Sequence, residues 1–146
     1  MTFFSFRRFG ILILLLLPIG CSPDNPQGRV SLHGSVSING TPIKTGTISF
    51  APLGNPAEIT HSGATITNGK YAAPTNKGVV PGEYVVQIYA SEDTGQVDPT
   101  ATGTSGKIYR QLIPPKYNEK SELKINVDRG KSYDFDLVVE EKDFAK

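Results

Sequence analysis

The chain has 146 residues, enough for one domain of ordinary size; with 38% hydrophobic and 20% charged residues it is too apolar and too weakly charged to be wholly disordered. Its 15 glycines and 11 prolines suit many turns rather than long helices. The net charge is +1, and without Arg7 and Arg8 the remainder carries 13 basic against 14 acidic side chains, so the chain lacks the basic excess of a nucleic-acid binder, while its single cysteine excludes an intrachain disulfide and a paired-cysteine metal site.

Residues 1–20 read as a signal peptide. Arg7 and Arg8 form a positive n-region, and residues 11–17 are an uninterrupted apolar run. That run falls short of the roughly 20 residues of a spanning helix and suits an h-region of about 7–15 residues. Leu17-Pro18-Ile19-Gly20-Cys21 resembles a bacterial lipobox; Ile19 and Gly20 match, and Pro18 stands where leucine is usual. The resemblance implies a diacylglycerol on the Cys21 thiol and, after cleavage, a fatty acyl chain such as palmitate on its amine. Two or more chains hold a protein stably on a bilayer where one is marginal. The alternatives are a lone buried cysteine and an uncleaved helical anchor. Ser22 stands where aspartate implies inner-membrane retention, so the same resemblance favours an outer over an inner membrane, within an exported, envelope-attached or otherwise secreted protein. Residues 21–28 combine the lipidated cysteine with a Pro-, Asn- and Gly-rich tether.

From residue 29 to 140 the dominant period is two, the mark of strands with one buried face. Val30, Leu32, Val36 and Ile38 alternate with Ser31, His33, Ser35 and Ser37. Asn39-Gly40 predicts a tight hairpin turn, because both residues tolerate positive φ. Residues 47–50 predict a second strand, 59–67 a weaker third, Asn68-Gly69 another turn, and 70–73 a fourth strand. Residues 83–90 predict a central strand, with Tyr84, Val86, Ile88 and Ala90 on one face and Val85 and Tyr89 on the other. Leu123, Ile125 and Val127 precede a turn at Asp128-Arg129-Gly130. Tyr133, Phe135, Leu137 and Val139 then alternate with polar residues, and residues 141–146 predict a charged, frayed tail. About seven short strands and no helical period predict an all-β fold: an antiparallel two-sheet sandwich.

Several segments, in order, resemble carboxypeptidase regulatory-like domains. Val36-Ser37-Ile38-Asn39-Gly40-Thr41-Pro42-Ile43 is similar to their opening strand and turn. Thr67-Asn68-Gly69-Lys70-Tyr71 is similar to a hairpin of theirs, shortened and lacking its acidic residues, and Val80-Pro81-Gly82-Glu83-Tyr84-Val85-Val86 to their Pro-Gly strand entry. The resemblance covers roughly residues 31–90. It implies a transthyretin-like (prealbumin-type) sandwich and secretion, and it implies no activity, since in carboxypeptidases this domain performs no chemistry.

Candidate chemistry is sparse. His33 and His61 have no spacing that points to a metal. Asp134 and Asp136 project from one strand face and, with Glu92, Asp93 or Asp98, have the oxygen ligands a calcium site needs; the plainer expectation is a solvated face. Residues 91–107 read as a loop of about 17 residues, long for a compact domain. Gly106-Lys107 fails as a phosphate loop, because Ile108 follows the lysine. In residues 108–118, Tyr109, Arg110, Lys116 and Tyr117 flank the stiff Pro114-Pro115 pair, and Tyr and Arg are the types favoured in contact hot spots. These four are the candidate binding residues; the alternative is a crossover that plugs the end of the sandwich.

The expectation is therefore a non-enzymatic, membrane-anchored module with a structural or binding role at the cell envelope. It is held through lipid on Cys21, uses no cofactor or metal, and meets an envelope protein or a glycan rather than nucleic acid. The alternatives are a carbohydrate- or protein-binding, adhesin-like module using residues 91–118, and an enzyme or small-ligand carrier.

Overall fold

The computed structural model describes residue 25 and residues 28–54, 61–100 and 106–144. The expected signal peptide, Cys21 and most of the tether lie outside these residues, as do 59–60 of the predicted third strand and the last two residues of the tail.

Ten strands form among the described residues: β1 Leu32–Ile38, β2 Thr41–Pro42, β3 Thr45–Pro52, β4 Ser62–Thr67, β5 Lys70–Ala73, β6 Gly82–Tyr89, β7 Ser91–Val97, β8 Lys107–Gln111, β9 Lys124–Val127 and β10 Phe135–Leu137. Helical structure among the described residues is confined to three short 3₁₀ turns, Thr75–Lys77, Pro115–Tyr117 and Glu141–Phe144. One sheet runs in the order β10-β1-β5-β4-β3-β6-β9, with β2 folded back on β1, and curls into an all-β sandwich. The strand that carries the curl is β1. Its first half, Leu32 to Ser35, pairs with β5, and its second half, Val36 to Ile38, pairs with β10. A second, two-stranded sheet is made by β7 and β8.

The alternating residues fill the space inside the curl. Leu32 and Val36 meet Ile48 and Phe50 of β3, Ile66 and Tyr71 of the β4–β5 hairpin, and Tyr84, Val86 and Ile88 of β6 in one apolar cluster. Val127 and Leu137 join from the two edge strands. Both predicted hairpin turns form with positive φ at both central residues, 49° and 78° at Asn39-Gly40 and 49° and 76° at Asn68-Gly69. Gly34 sits where the sheet folds over: a Cβ there would lie 1.9 Å from the Tyr133 carbonyl oxygen.

Three details depart from the sequence expectation. The β1–β10 pair is parallel, with Val36 opposite Phe135 and Ile38 opposite Leu137, while every other pair is antiparallel. The turn after β9 therefore closes no hairpin; it carries the chain to the opposite edge of the curled sheet. The Tyr133 hydroxyl secures that passage by accepting the Asp128 N–H at 2.7 Å, and the Tyr133 N–H donates to the His33 carbonyl at 2.9 Å. Next, the first seven residues and the last of the supposed loop at 91–107, together with the start of the supposed crossover, form the β7–β8 ribbon. Its strands hide no face, so the alternation that marks a strand never arises in their sequence. Finally, Glu141–Phe144 forms a 3₁₀ turn, where the Asp143 carboxylate accepts from the Glu140 N–H at 2.9 Å and from Lys116 Nζ at 2.6 Å.

Candidate functional site

Asp134, just ahead of β10, and Asp136, on β10, are exposed and reach across to β1. Asp134 Oδ1 accepts both the N–H and the hydroxyl of Ser35 at 2.7 Å. Asp136 Oδ1 accepts the Ser37 hydroxyl at 2.6 Å and the Gly40 N–H at 2.9 Å. These hydrogen bonds, the Ser35 hydroxyl foremost for Asp134 and the Ser37 hydroxyl for Asp136, hold both carboxyls below the ordinary carboxylate range. Their work is to clasp the short parallel edge strand.

The carboxylates of the ribbon are engaged elsewhere. Asp93 pairs with Lys107 at 2.7 Å, Glu92 with Arg110, and Asp98 accepts the N–H and hydroxyl of Thr100 at 2.8 and 2.6 Å. Among the described residues no three His, Cys, Asp or Glu side chains gather as a set of metal ligands. His33 lies on β1 opposite Ala72, and His61 is exposed just ahead of β4.

The four candidate contact residues divide into two pairs. Lys116 and Tyr117 belong to the 3₁₀ turn at Pro115–Tyr117. The Tyr117 hydroxyl donates to the Val138 carbonyl at 3.0 Å, and Lys116 Nζ sits 5.0 Å from the Tyr117 ring centre while bonding Asp143. Beside them Ile113 and Pro114 are fully buried, so this segment caps the sandwich, as the crossover alternative expects. Tyr109 and Arg110 instead lie on β8, where every residue is exposed.

The phenols sort themselves further. Of the six tyrosines, Tyr71, Tyr84 and Tyr117 donate to backbone carbonyls and Tyr133 accepts a backbone N–H. Burial raises the Tyr71 and Tyr84 phenols above their usual range, and the nearby Asp134 charge adds to the effect at Tyr71. Among the described residues the Tyr89 and Tyr109 hydroxyls have no hydrogen-bond partner, and their side chains are 37% and 56% exposed.

Register places those two rings on one face. Tyr89 of β6 is opposite Thr47 of β3, Thr47 is opposite Thr65 of β4, and Thr45 is opposite Thr67. Alternation carries this outer face through buried Ala90 to Ser91, which pairs with Gln111, and to Asp93, which pairs with Tyr109. A shallow concavity of about 320 Å³ lies at the root of the ribbon, walled by Thr45, Thr47, Thr65, Tyr89, Ser91 and Gln111. Arg110 and Glu92 point from the other ribbon face. A second groove of about 600 Å³ runs along the β7 edge of the ribbon beside the β1–β2 turn, lined by Ile38, Pro42, Leu112, Ser91, Glu92 and Asp93.

Sequence reasoning reached Tyr109 through its residue type but passed over Tyr89. The available signal was the position of Tyr89 on the face of β6 opposite Tyr84, Val86 and Ile88, next to a strand rich in threonine. Comparisons with known protein families, curated proteins and solved structures return no match.

Proposed function

We propose that this chain is an exported, lipid-anchored β-sandwich whose task is surface contact rather than catalysis, and that the β7–β8 ribbon with the sheet face at its root is the contact surface. The observation that carries this is the ribbon itself. Its strands leave the body, bury no side chain of their own, and are braced across the pair by Lys107–Asp93 and Arg110–Glu92. A segment of that shape adds little to a core, and exposed aromatic and arginine side chains on a held scaffold suit recognition.

The side chains that acid–base chemistry would use support the same view. Asp134 and Asp136 spend their oxygens on β1, and Asp93 and Glu92 on cross-strand cations. The leader and Cys21 support anchoring by their resemblance to a lipobox, and the resemblance to carboxypeptidase regulatory-like domains supports an accessory, non-hydrolytic role.

Membrane fractionation with intact-mass analysis tests the anchor. The native chain should sediment with membranes and carry acyl mass on residue 21, and Cys21→Ala should appear soluble or uncleaved. Native protein without added acyl mass overturns anchoring. Hydrolysis of a peptide or glycan library at enzyme-like rates by the purified protein overturns the non-catalytic role.

A further inference from the structure

We infer that the outer face running from Thr65 and Thr47 through Tyr89 to Tyr109 binds an uncharged glycan chain, with the two tyrosine rings as stacking platforms. This rests on the surface-contact function proposed above and adds the class of ligand.

Three observations select the occupant. The first is the spacing of the rings. Tyr109 stands opposite Asp93, four residues beyond Tyr89 along one nearly continuous strand. At the rise of an extended strand, with the step across to β8, the two positions lie about 14 Å apart, the span of a short run of linked sugars. Each presents an apolar ring and an uncommitted hydroxyl, the amphipathic combination that packs on the C–H face of a pyranose and bonds its rim.

The second is charge. Between and beside the rings stand Thr45, Thr47, Thr65, Ser91 and Gln111, all neutral groups that donate and accept. Near the rings Asp93 and Lys107 neutralise each other at 2.7 Å, Arg110 lies on the opposite ribbon face, and at the far end Lys70, opposite Thr67, and Lys77, beside Thr65, stand singly. A nucleic acid, an acidic polysaccharide or an anionic headgroup calls for clustered cations. A face of hydroxyls and amides without clustered cations matches a polyol without charge.

The third is backbone access. An extended peptide that adds to a sheet needs a free strand edge. At the Tyr89 end, strand β3 has β4 on one side and β6 on the other, so its backbone is already paired and that part of the face offers side chains alone; only the ribbon's outer edges are open to an added strand. The shallow concavity of about 320 Å³ at Tyr89 then seats one sugar, while Tyr109 carries the chain outward along the ribbon.

The test uses the full-length protein, solubilised in detergent, on insoluble cellulose, chitin, starch and mannan, with alginate- and heparin-coated beads as charged counterparts. Retention is expected on at least one uncharged polymer, undiminished in 0.5 M salt, roughly that at which surface ion pairs are screened. Tyr89→Ala and Tyr109→Ala should each weaken it by roughly tenfold, Tyr109→Phe should keep most of it, and Lys131→Ala, an exposed cation on the turn after β9, should leave it unchanged. Circular dichroism establishes that each variant is folded, and Tyr89→Thr, which also removes the ring but suits a strand, replaces Tyr89→Ala should the latter not fold. Retention on no uncharged polymer overturns the inference, as does retention that survives loss of both rings or that vanishes in salt. A cross-linked envelope protein whose capture depends on Tyr109, without polymer retention, also overturns it while leaving the contact function standing. Membrane association of the same preparations reports separately on the anchor.

Discussion

Strands β6 and β7 are nearly one strand, separated only by Ala90, yet they live in opposite environments. In β6 the side chains of Tyr84, Val86 and Ile88 are wholly buried, and the strand is paired on both sides by β3 and β9. Beyond Ala90 the same extended chain has a single partner, β8, and no residue leaves the solvent. The body is held by apolar area removed from water; the ribbon is held by ladder hydrogen bonds and two solvent-exposed ion pairs, which contribute little in isolation. A two-stranded ribbon is marginal by itself. This one is steadied at its root, where the Leu112 N–H returns to the Ala90 carbonyl at 2.9 Å. The difference separates what the protein needs in order to fold from what it can vary to make contact.

The sharpest way to break the comparison is to remove a large side chain from the body. Phe50 is fully buried and lies 5.9 Å from the Tyr71 ring. Phe50→Ala should cost about 3–5 kcal/mol in urea unfolding. A cost below 1 kcal/mol would mean that the core is not where the strands place it.

Next in size is the crossing at Gly34. A methyl there meets a backbone carbonyl, which has no free rotation by which to move aside. Gly34→Ala should destabilise by about 1–3 kcal/mol, with the loss centred on the β1–β10 edge. An unchanged unfolding midpoint would refute the parallel pairing.

The acidic clasp gives a smaller, pH-dependent effect. Asp134 and Asp136 titrate lower in the folded protein than in the unfolded chain, whose aspartates titrate near 3.9. Their stabilisation is therefore complete above that value and is lost as pH falls through the lower folded values. Asp136→Asn should flatten this acid limb of the stability curve, measured by urea midpoints between roughly pH 2 and 6. An identical limb in the variant would show that the carboxylate does not hold β1.

The least effect belongs to the ribbon. Arg110→Ala and Tyr109→Ala should leave the urea midpoint unaltered, and hydrogen exchange should be orders of magnitude faster for β7 and β8 amides than for β3 and β6. Ribbon amides protected as strongly as those of β6 would mean that it belongs to the cooperative body.

The alternation along β1, β3 and β6 made their inward residues legible, and the two Asn-Gly turns made the hairpins legible, because both signals are local. The Asp134–Asp136 clasp was half visible: the sequence placed the carboxylates on one strand, but their partners lie nearly a hundred residues away. Tyr117 and Tyr109 look alike as residue types in one segment. Only the fold turns the first onto the Val138 carbonyl and leaves the second in solvent.

By itself the chain determined an all-β sandwich, its inward-facing residues and its tightest turns, since period-two hydrophobicity and positive-φ residues act over a few positions. The tertiary structure alone decided that the last strand runs parallel to the first, that a polar stretch becomes a ribbon, and that Tyr89 and Tyr109 share a face. Each of those depends on which distant backbone is there to accept a hydrogen bond, and no local pattern encodes it.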